Sequence, residues 1–398
     1  MRVVIFSMMY APDDFKINDI VLELVNRGHS VKVVTGLPDY ATSHIPRQFR
    51  WFRGRHEKMP NYEVWRLPII ARRKGVFFRM LNYLSYVISG SIYALFCRKK
   101  GTDAVFVYET SPVFQAFPAL IFKKLAKKPL TLYCLDVWPA CVRAWNVKEN
   151  GLFYKISLWA SRFIYRRCDK VAVSSRPFIP YLRDVCGVKE ETMCYLPQHA
   201  EDSFANICGA YKGDDCTDFL FAGNIGAVQD VETIIDAAAL LPQDANFKVH
   251  IVGSGSRLEA CQRLVKEHPL DEKIIFHGRH PQSQMPRYYK MADCMLLTLR
   301  GGDMIGETLP AKAQSYLSVG KPILGAIDGA GQEMIHEADC GECVASGDVK
   351  GLAEAMMKVI EHPDIYREKG ANGRRFFEEN YTKDLFMKRL LALLEEDV

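Results

Sequence analysis

Gly306-Glu307-Thr308-Leu309-Pro310-Ala311-Lys312-Ala313-Gln314-Ser315-Tyr316-Leu317-Ser318-Val319-Gly320-Lys321-Pro322 decides the reading of this chain. A polar loop runs up to Pro310, whose fixed φ suits the first position of a helix. A helical pattern follows, Gly320 stops it, and the apolar pair Ile323-Leu324 begins a strand. Backbone N–H groups at such a helix start have no partner inside the helix and gather anions, phosphate above all. Those around Thr308 and Leu309 stand at this start. Glu307 stands beside them to hold a sugar hydroxyl, and Lys312 supplies a neutralising charge. The segment reads as a cradle for a sugar joined to a diphosphate.

Outward from this segment, short apolar runs alternate with helical patterns. In the second half the runs fall at 219–221, 249–252, 274–276, 294–297, 323–324 and 342–344, with a helix over 230–241. In the first half they fall at 3–6, 31–34, 104–108, 130–134 and 170–173, with a helix through 20–25 that ends at Gly28. Strand then helix, repeated, predicts an α/β protein of parallel sheets wrapped on both faces. The expected domains are 1–201, joined by a C-terminal helix within 380–398, and 202–379. The Gly- and Asp-rich stretch 202–218 is the expected linker. Ligands of doubly wound sheets bind outside the carboxyl ends of the strands. Gly223, Asn224 and Gly226 follow one strand and Gly253 and Gly255 follow the next, so both loops share a rim with the Glu307 segment. Each loop alone is equally well a tight turn. Neither completes G-x-G-x-x-G with an acidic residue ~20 positions on, which disfavours a dinucleotide and favours a mononucleotide-type ligand.

Composition narrows the function classes. The chain has 398 residues, 48% of them hydrophobic, enough for two ordinary domains with large cores. A net charge of +5 is mild and lacks the basic focus of a nucleic-acid binder. The 12 cysteines are scattered, and Cys340-Gly341-Glu342-Cys343 has no second pair to complete a zinc site. They read as buried thiols of a reducing compartment. Arg2-Val3-Val4-Ile5-Phe6-Ser7 is too short for a signal peptide and reads as a buried strand, so a cytoplasmic protein is expected.

The run from Glu307 to Pro322 resembles the nucleotide-sugar signature of family-4 retaining glycosyltransferases of GT-B fold. Within them it resembles the L-fucosamine transferase and colanic-acid types of bacterial surface-polysaccharide assembly. Supporting segments are Tyr10-Ala11-Pro12 with Lys16-Ile17-Asn18-Asp19, Gly36-Leu37-Pro38-Asp39-Tyr40, Asp136-Val137-Trp138-Pro139, Tyr195-Leu196-Pro197 with Glu201-Asp202, and Gly223-Asn224-Ile225-Gly226. They occur in the family's order and cover nearly the whole chain. The resemblance implies two Rossmann-like domains with parallel sheets facing across a cleft. The C-terminal one would hold a nucleotide sugar, UDP by family habit. The N-terminal one would hold a polyprenyl-diphosphate-linked saccharide, and the last helix would cross back to it.

Three departures stand out. The family's second glutamate is Ser315 here, with Gln314 beside it. Its Arg and Lys after the first strand of the second domain are Asn224 and Gln229, which leaves Lys312 and Arg300 as candidate cations for the diphosphate. The glycine pair often found in the first-domain loop is replaced by Pro12-Asp13-Asp14-Phe15-Lys16-Ile17-Asn18.

Transfer with retention would bring donor and acceptor to one sugar face, with a leaving diphosphate oxygen taking the acceptor proton. The protein's part is orientation and charge stabilisation. The expected catalytic residues are Glu307, Asp136 and Lys312, with Asp136 either ordering a hydroxyl or capping the helix at Trp138-Pro139. On the acceptor side Lys16, Asn18, Asp19 and Glu109 are candidates, each with a helix cap or a solvated surface role as its plainer use. Gly278-Arg279-His280 would lie near the base, where Arg279 joins the donor contacts. The nucleotide sugar is a co-substrate; no cofactor is implied. Without an Asp-x-Asp pair, no essential metal is expected.

The first half carries a further pattern. Arg72-Arg73-Lys74 and Arg98-Lys99-Lys100 bracket an apolar stretch that includes Phe77, Phe78, Leu81 and Leu84, with Asn82, Ser85 and Ser89 on one helical stripe. It is near the lower limit of the ~20 residues that span a bilayer. Arg79, Asn82 and a break at Ser89-Gly90-Ser91 favour lying in the interface, the alternative being a core helix. Lys123 and Lys124 follow Phe117, Leu120 and Phe122, and a third basic-aromatic cluster runs from Arg47 to Arg53. Basic clusters beside aromatics suit anionic headgroups, so peripheral attachment at the cytoplasmic face of the membrane is expected. Two alternatives compete with lipid-linked transfer: a GT-B-type nucleotide-sugar epimerase that needs no membrane face, and a membrane-attached partner without turnover.

Overall fold

The computed structural model describes residues 1–395 except 41, 42, 52, 74, 146–150, 201–203, 205, 206, 208–210, 212–214, 303–305 and 307. Contacts divide the chain into two compact units, one of Met1–Leu196 with Met387–Val398, the other of Pro197–Phe386.

The first unit runs β1 (Arg2–Phe6), α1 (Lys16–Asn26), β2 (Ser30–Gly36), β3 (His56–Met59), β4 (Tyr62–Leu67), α2 (Val76–Phe96), β5 (Ala104–Glu109), α3 (Phe117–Ala126), β6 (Leu130–Cys134), α4 (Leu152–Tyr165), β7 (Lys170–Val173), α5 (Phe178–Asp184) and β8 (Met193–Tyr195). Among the described residues its strands form one sheet in the order β3-β4-β2-β1-β5-β6-β7-β8. β5 and β6 are buried along their whole length, as expected of apolar strands covered on both faces. β3 alone is antiparallel: Met59 opposes Tyr62, so Pro60-Asn61 makes the turn. This hairpin is absent from the sequence expectation because His56-Glu57-Lys58-Met59 has no apolar alternation and lies mostly in solvent.

The second unit runs β9 (Thr217–Ala222), α6 (Val231–Ala239), β10 (Phe247–Val252), α7 (Leu258–Glu267), β11 (Ile274–Gly278), α8 (Met285–Met291), β12 (Cys294–Thr298), α9 (Ala311–Val319), β13 (Ile323–Ala326), α10 (Gly329–Glu337), β14 (Gly341–Val344), α11 (Val349–Glu361) and α12 (Pro363–Asn380). Its described strands are all parallel, in the order β11-β10-β9-β12-β13-β14. The last helix, α13 (Lys383–Glu395), crosses the division, with Met387 onward counted in the first unit. Within 202–218, Phe204 and Ile207 are buried in the core of the second unit, and Phe204 meets the Tyr289 ring at 4.9 Å. Apolar burial anchors part of the expected linker.

Each sheet reverses its strand order beside its central strand, and that reversal opens a crevice at the carboxyl ends. In the first unit the reversal lies between β1 and β5, in the second between β9 and β12. Glu109 ends β5, Gly223 follows β9, and Arg300 follows β12.

Candidate functional site

In the second unit the loops after β9, β10 and β11 are stacked main chain on main chain. Gly223 N–H donates to Val252 O at 2.9 Å, Gly253 N–H to Gly278 O at 2.8 Å, and Ile225 N–H to Ser254 O at 3.0 Å. A Cβ on Gly253 would lie 1.8 Å from Gly223 O, and one on Gly255 2.2 Å from Ile225 O. No side chain fits at either position. Gly253 and Gly255 are therefore spent on loop-to-loop contact, the tight-turn use that their sequence also allowed. Beyond them the turn at 278–280 is pinned by His280, whose Nε2 meets His277 O and whose Nδ1 meets Gln284 Oε1, both at 2.9 Å. Arg279 points into solvent from that turn.

Helix α9 starts one residue later than expected. Pro310 is its N-cap, at φ −65° and ψ 136°, and Gly320 closes it in the left-handed conformation at φ 70°. From Ala313 to Val319 every residue of the helix is buried. Tyr316 locks it to the sheet: its hydroxyl accepts from Ala222 N–H at 2.9 Å and donates to Ala222 O at 3.2 Å. This anchor was not foreseen from sequence, where Tyr316 was one more member of a helical run.

Lys312 occupies the floor. Its Nζ is shut off from water and has no hydrogen-bond partner among the described residues. It lies 3.7 Å from the centre of the Phe221 ring and 3.6 Å from where a Cβ on Gly223 would sit. Burial pushes its ammonium down to about 7. A buried cation ordinarily has a partner, and among the described residues the Phe221 face is the compensation within reach of Lys312. The arrangement has the electrostatics of an anion site beside the first turn of α9.

The remaining donor-side candidates divide. Thr308 and Leu309 lie in the turn into α9, half buried. Asn224 Nδ2 donates to Gln229 Oε1 at 3.0 Å, so these two side chains bridge their loop. Arg300 pairs with Asp230 at 3.0 Å while 58% of its side chain stays exposed, so its charge is already balanced. Asp230 also accepts from Thr233 Oγ at 2.7 Å; an acidic residue three before a threonine at a helix start was the signal for it. Ser315 is buried in α9. Gln314 is buried too, with the end of its amide group against Pro310 O and Ala311 O, where an amide nitrogen would be satisfied. Ser315, which stands where the family has its second glutamate, and Gln314 beside it are thus both turned inward by helix packing. Glu307 lies outside the described residues.

In the first unit, Asp136 is exposed just past β6 and accepts from Ser111 N–H at 3.1 Å and Ser111 Oγ at 2.9 Å. Trp138 Nε1 donates to the same Ser111 Oγ at 3.1 Å. The carboxylate thus ties two rim loops instead of capping the turn at Trp138-Pro139. Surrounding protein raises its carboxyl above the usual range, against the two Ser111 bonds. Glu109 is fully buried, with Tyr165 Oη at 3.4 Å from Oε2 and no hydrogen-bond partner on Oε1 among the described residues. Burial first, and then the Asp136 charge, push it well above the ordinary carboxylate range. Neither acceptor contact nor helix capping fits Glu109; it is an internal acid below Asp136. Lys16, Asn18 and Asp19 fall in the first turn of α1, whose N-cap is Phe15, so neither Asn18 nor Asp19 is the cap. Asn18 Nδ2 instead donates to Asp13 O at 2.8 Å and fastens the preceding loop. Among the described residues no group of three or more His, Cys, Asp or Glu side chains is placed to hold a metal ion.

Comparison with known proteins agrees with this geometry. Residues 16–199 match the family described as "Glycosyl transferase 4-like domain", and residues 211–376 match "Glycosyl transferases group 1". This chain is a group 1 glycosyltransferase. It is 24% identical over 340 residues to the putative colanic acid biosynthesis glycosyl transferase WcaI of Escherichia coli (strain K12), covering 80% of this chain and 82% of that one. Its fold is GT-B, shared with sucrose-phosphate synthase of Thermosynechococcus elongatus at TM-score 0.74 and 16% identity, over 99% of this chain and 98% of the other. Anabaena HepE, solved in complex with UDP, matches at TM-score 0.72 and 12% identity over 100% of both chains.

The glycosyltransferase also carries two helices that are amphipathic in an inverted sense. On α2 the polar stripe faces inward: Asn82 Nδ2 donates to Asp39 Oδ2 at 2.9 Å and to Ile70 O at 2.7 Å, and Ser85 Oγ accepts from Ile70 N–H. Leu84, Ile88, Ile92, Leu95 and Phe96 point outward, as does Phe77 in the first turn, while Phe78 and Leu81 are half buried. The helix is continuous through Gly90, which leaves room for Pro118 of α3; the expected break is not there. On α4, Ser157 and Ser161 are buried while Leu152, Ile156 and Trp159 are exposed. Phe163 joins this face to α3 through Phe117, at 6.1 Å between rings. The α4 stripe was missed in the sequence, although its i, i+4, i+7 spacing was there to be read. Lys124 is exposed, but Lys123 is held by Asp169 at 2.8 Å and so is not free for a headgroup. Among the described residues no helix is long and apolar enough to cross a membrane.

Proposed function

We propose that the protein transfers a sugar, with retention, from a nucleoside-diphosphate sugar to a polyprenyl-diphosphate-linked saccharide at the cytoplasmic face of the membrane, in bacterial surface-polysaccharide assembly. The observation that carries the donor half is Lys312, a dry ammonium without an anionic partner among the described residues, at the start of α9. UDP is the favoured nucleotide, supported by the UDP bound in HepE. The polysaccharide context draws on the name of the E. coli relative, which assigns it to colanic acid biosynthesis. The outward apolar stripes of α2 and α4 support attachment to a lipid surface, where a lipid-linked acceptor would be met.

In this reading the bond from the sugar's anomeric carbon to the diphosphate oxygen breaks, and a bond to the acceptor oxygen forms on the same face. The departing oxygen takes the acceptor proton. Lys312 and the first N–H groups of α9 stabilise the departing charge, so no metal ion is called for. Glu307 holds donor hydroxyls, and Asp136, steadied by Ser111, orders the acceptor hydroxyl. The test is a panel of nucleotide sugars offered with and without a polyprenyl-diphosphate saccharide in vesicles, read by mass spectrometry and by NMR of the new anomeric centre. A product one sugar longer, with configuration kept and turnover dependent on acceptor, supports the proposal. Acceptor-independent turnover points to an epimerase, and donor binding without any turnover to an inactive partner.

A further inference from the structure

A groove of about 870 Å³ lies in the first unit at the amino ends of β1, β2 and β4, the opposite end of the sheet from the rim that carries Asp136. That volume is in the range of small-molecule sites. Its charged lining is Arg2, Lys32, Lys58, Arg98 and Lys100 against a single acid, Glu63. Glu63 is already committed, to Lys32 at 3.2 Å and to Trp65 Nε1 at 2.8 Å. Lys58, Arg98 and Lys100 meet no carboxylate among the described residues. Helix capping accounts for one neighbour alone: Lys99 Nζ donates to Leu95 O and Cys97 O, both at 2.9 Å, closing the end of α2. The groove also has an apolar and aromatic wall, built from Trp65, Tyr93, Ile92 and Phe96. Trp65 and Tyr93 pack at 5.5 Å, and Phe96 is 85% exposed. Ile92 and Phe96 belong both to this wall and to the outward stripe of α2, so the groove opens directly onto the apolar face.

We propose that this groove seats the headgroup of an anionic phospholipid, its phosphate on Lys58, Arg98 and Lys100 and its acyl chains along Ile92 and Phe96. The proposal rests on the membrane reading above and gives it a specific lipid contact at the end of the first unit's sheet opposite the rim that carries Asp136. A free phosphate would use the cations and leave the apolar wall wet. A tailed anion matches both walls.

The experiment uses the full chain, monomeric dihexanoyl phosphatidylglycerol, dihexanoyl phosphatidylcholine and inorganic phosphate, read by thermal shift, together with sedimentation on phosphatidylglycerol vesicles. Phosphatidylglycerol is expected to raise the melting temperature, and the other two to leave it unchanged. The double variant Lys58→Glu/Arg98→Glu is expected to keep its own melting temperature and its transfer to a water-soluble acceptor, while its affinity for the short-chain lipid falls at least about tenfold. An unchanged lipid response in that variant, no response in the native protein, or an equal shift with phosphate alone would overturn the proposal. The Ile88→Glu variant separates the two levels. If it stops sedimenting while Lys58→Glu/Arg98→Glu sediments and responds to lipid normally, the groove assignment is wrong and the membrane reading stands. If native protein ignores vesicles yet binds the monomeric lipid through these cations, the groove stands and the membrane reading is wrong.

Discussion

Lys312 Nζ sits 3.7 Å above the centre of the Phe221 ring, with no hydrogen-bond partner among the described residues. Replacing it with methionine keeps the stem and removes the charge. Lys312→Met is expected to weaken nucleotide-sugar binding about ten- to a hundredfold, the loss of a bond to a charged group worth ~1.5–3 kcal/mol. The ligand-free protein should melt higher at neutral pH, because a buried ammonium without a hydrogen-bond partner among the described residues is gone. Calorimetric titration and thermal melts check both halves; unchanged affinity would remove Lys312 from the site.

The same group sets a pH dependence. Burial holds the Lys312 ammonium down to about 7, from an ordinary value of 10.5. Between those values the unfolded chain binds the proton and the folded chain does not, so ligand-free stability rises with pH across that window. A bound diphosphate favours the charged form and raises the group again. Binding at pH 8 should therefore take up about one proton, and donor affinity should fall as pH climbs above 7. Titrations in two buffers of different ionisation enthalpy measure the uptake, which Lys312→Met should abolish.

Asp39 offers an independent titration. It accepts from Arg72 N–H and Asn82 Nδ2, and burial, more than the nearby Asp13 charge, pushes its carboxyl up from 3.8 to about 6. The folded state then holds more protons than the unfolded one between those values, so stability is lost as pH rises through that window. Asp39→Asn mimics the protonated form. It should match the native protein near pH 4 and exceed it by about 2–3 kcal/mol at pH 7.5, measured by urea unfolding. Equal stability at both pH values would refute the assignment.

Tyr316 joins α9 to β9 through both main-chain groups of Ala222. Tyr316→Phe leaves a buried N–H and C=O without partners, at a cost of about 1–3 kcal/mol. Since α9 carries Lys312, donor affinity should fall with it. A variant that unfolds at the native urea concentration would show the hydroxyl to be dispensable.

The outward stripes make a solubility prediction as well as a binding one. Ile88→Glu with Trp159→Glu places charge on two mostly exposed positions, Trp159 resting only on the Phe163 ring among the described aromatic side chains. Melting temperature and transfer to a water-soluble acceptor should stay at native values, while sedimentation with anionic vesicles is lost. Native sedimentation by this variant would locate the lipid contact elsewhere.

Much of the fold was legible because parallel strands buried on both faces are continuous apolar runs: 3–6, 104–108 and 130–134 announce themselves. The β3–β4 hairpin did not, because Glu57 and Lys58 on its outer strand carry no periodicity. Local structure around the candidate site was legible too, in the turn into α9 and the glycine that closes the helix. Legibility failed where tertiary packing decides orientation. Nothing near Gln314 or Glu109 in sequence says that each points into the core, and nothing near Arg300 says that Asp230 waits for it. The stripe of Asn82 and Ser85 was visible, but a polar stripe normally faces water. Asp39 and the Ile70 main chain, both distant in sequence, draw it inward.

The turns at 223, 253 and 278 lean on one another through main chain, so a side chain added at Gly253 or Gly255 would have to push a neighbouring turn aside. Room for variation in these loops lies in side chains such as Asn224, Gln229 and Arg279, which carry no main-chain contact between turns, while Gly253 and Gly255 are held as they are.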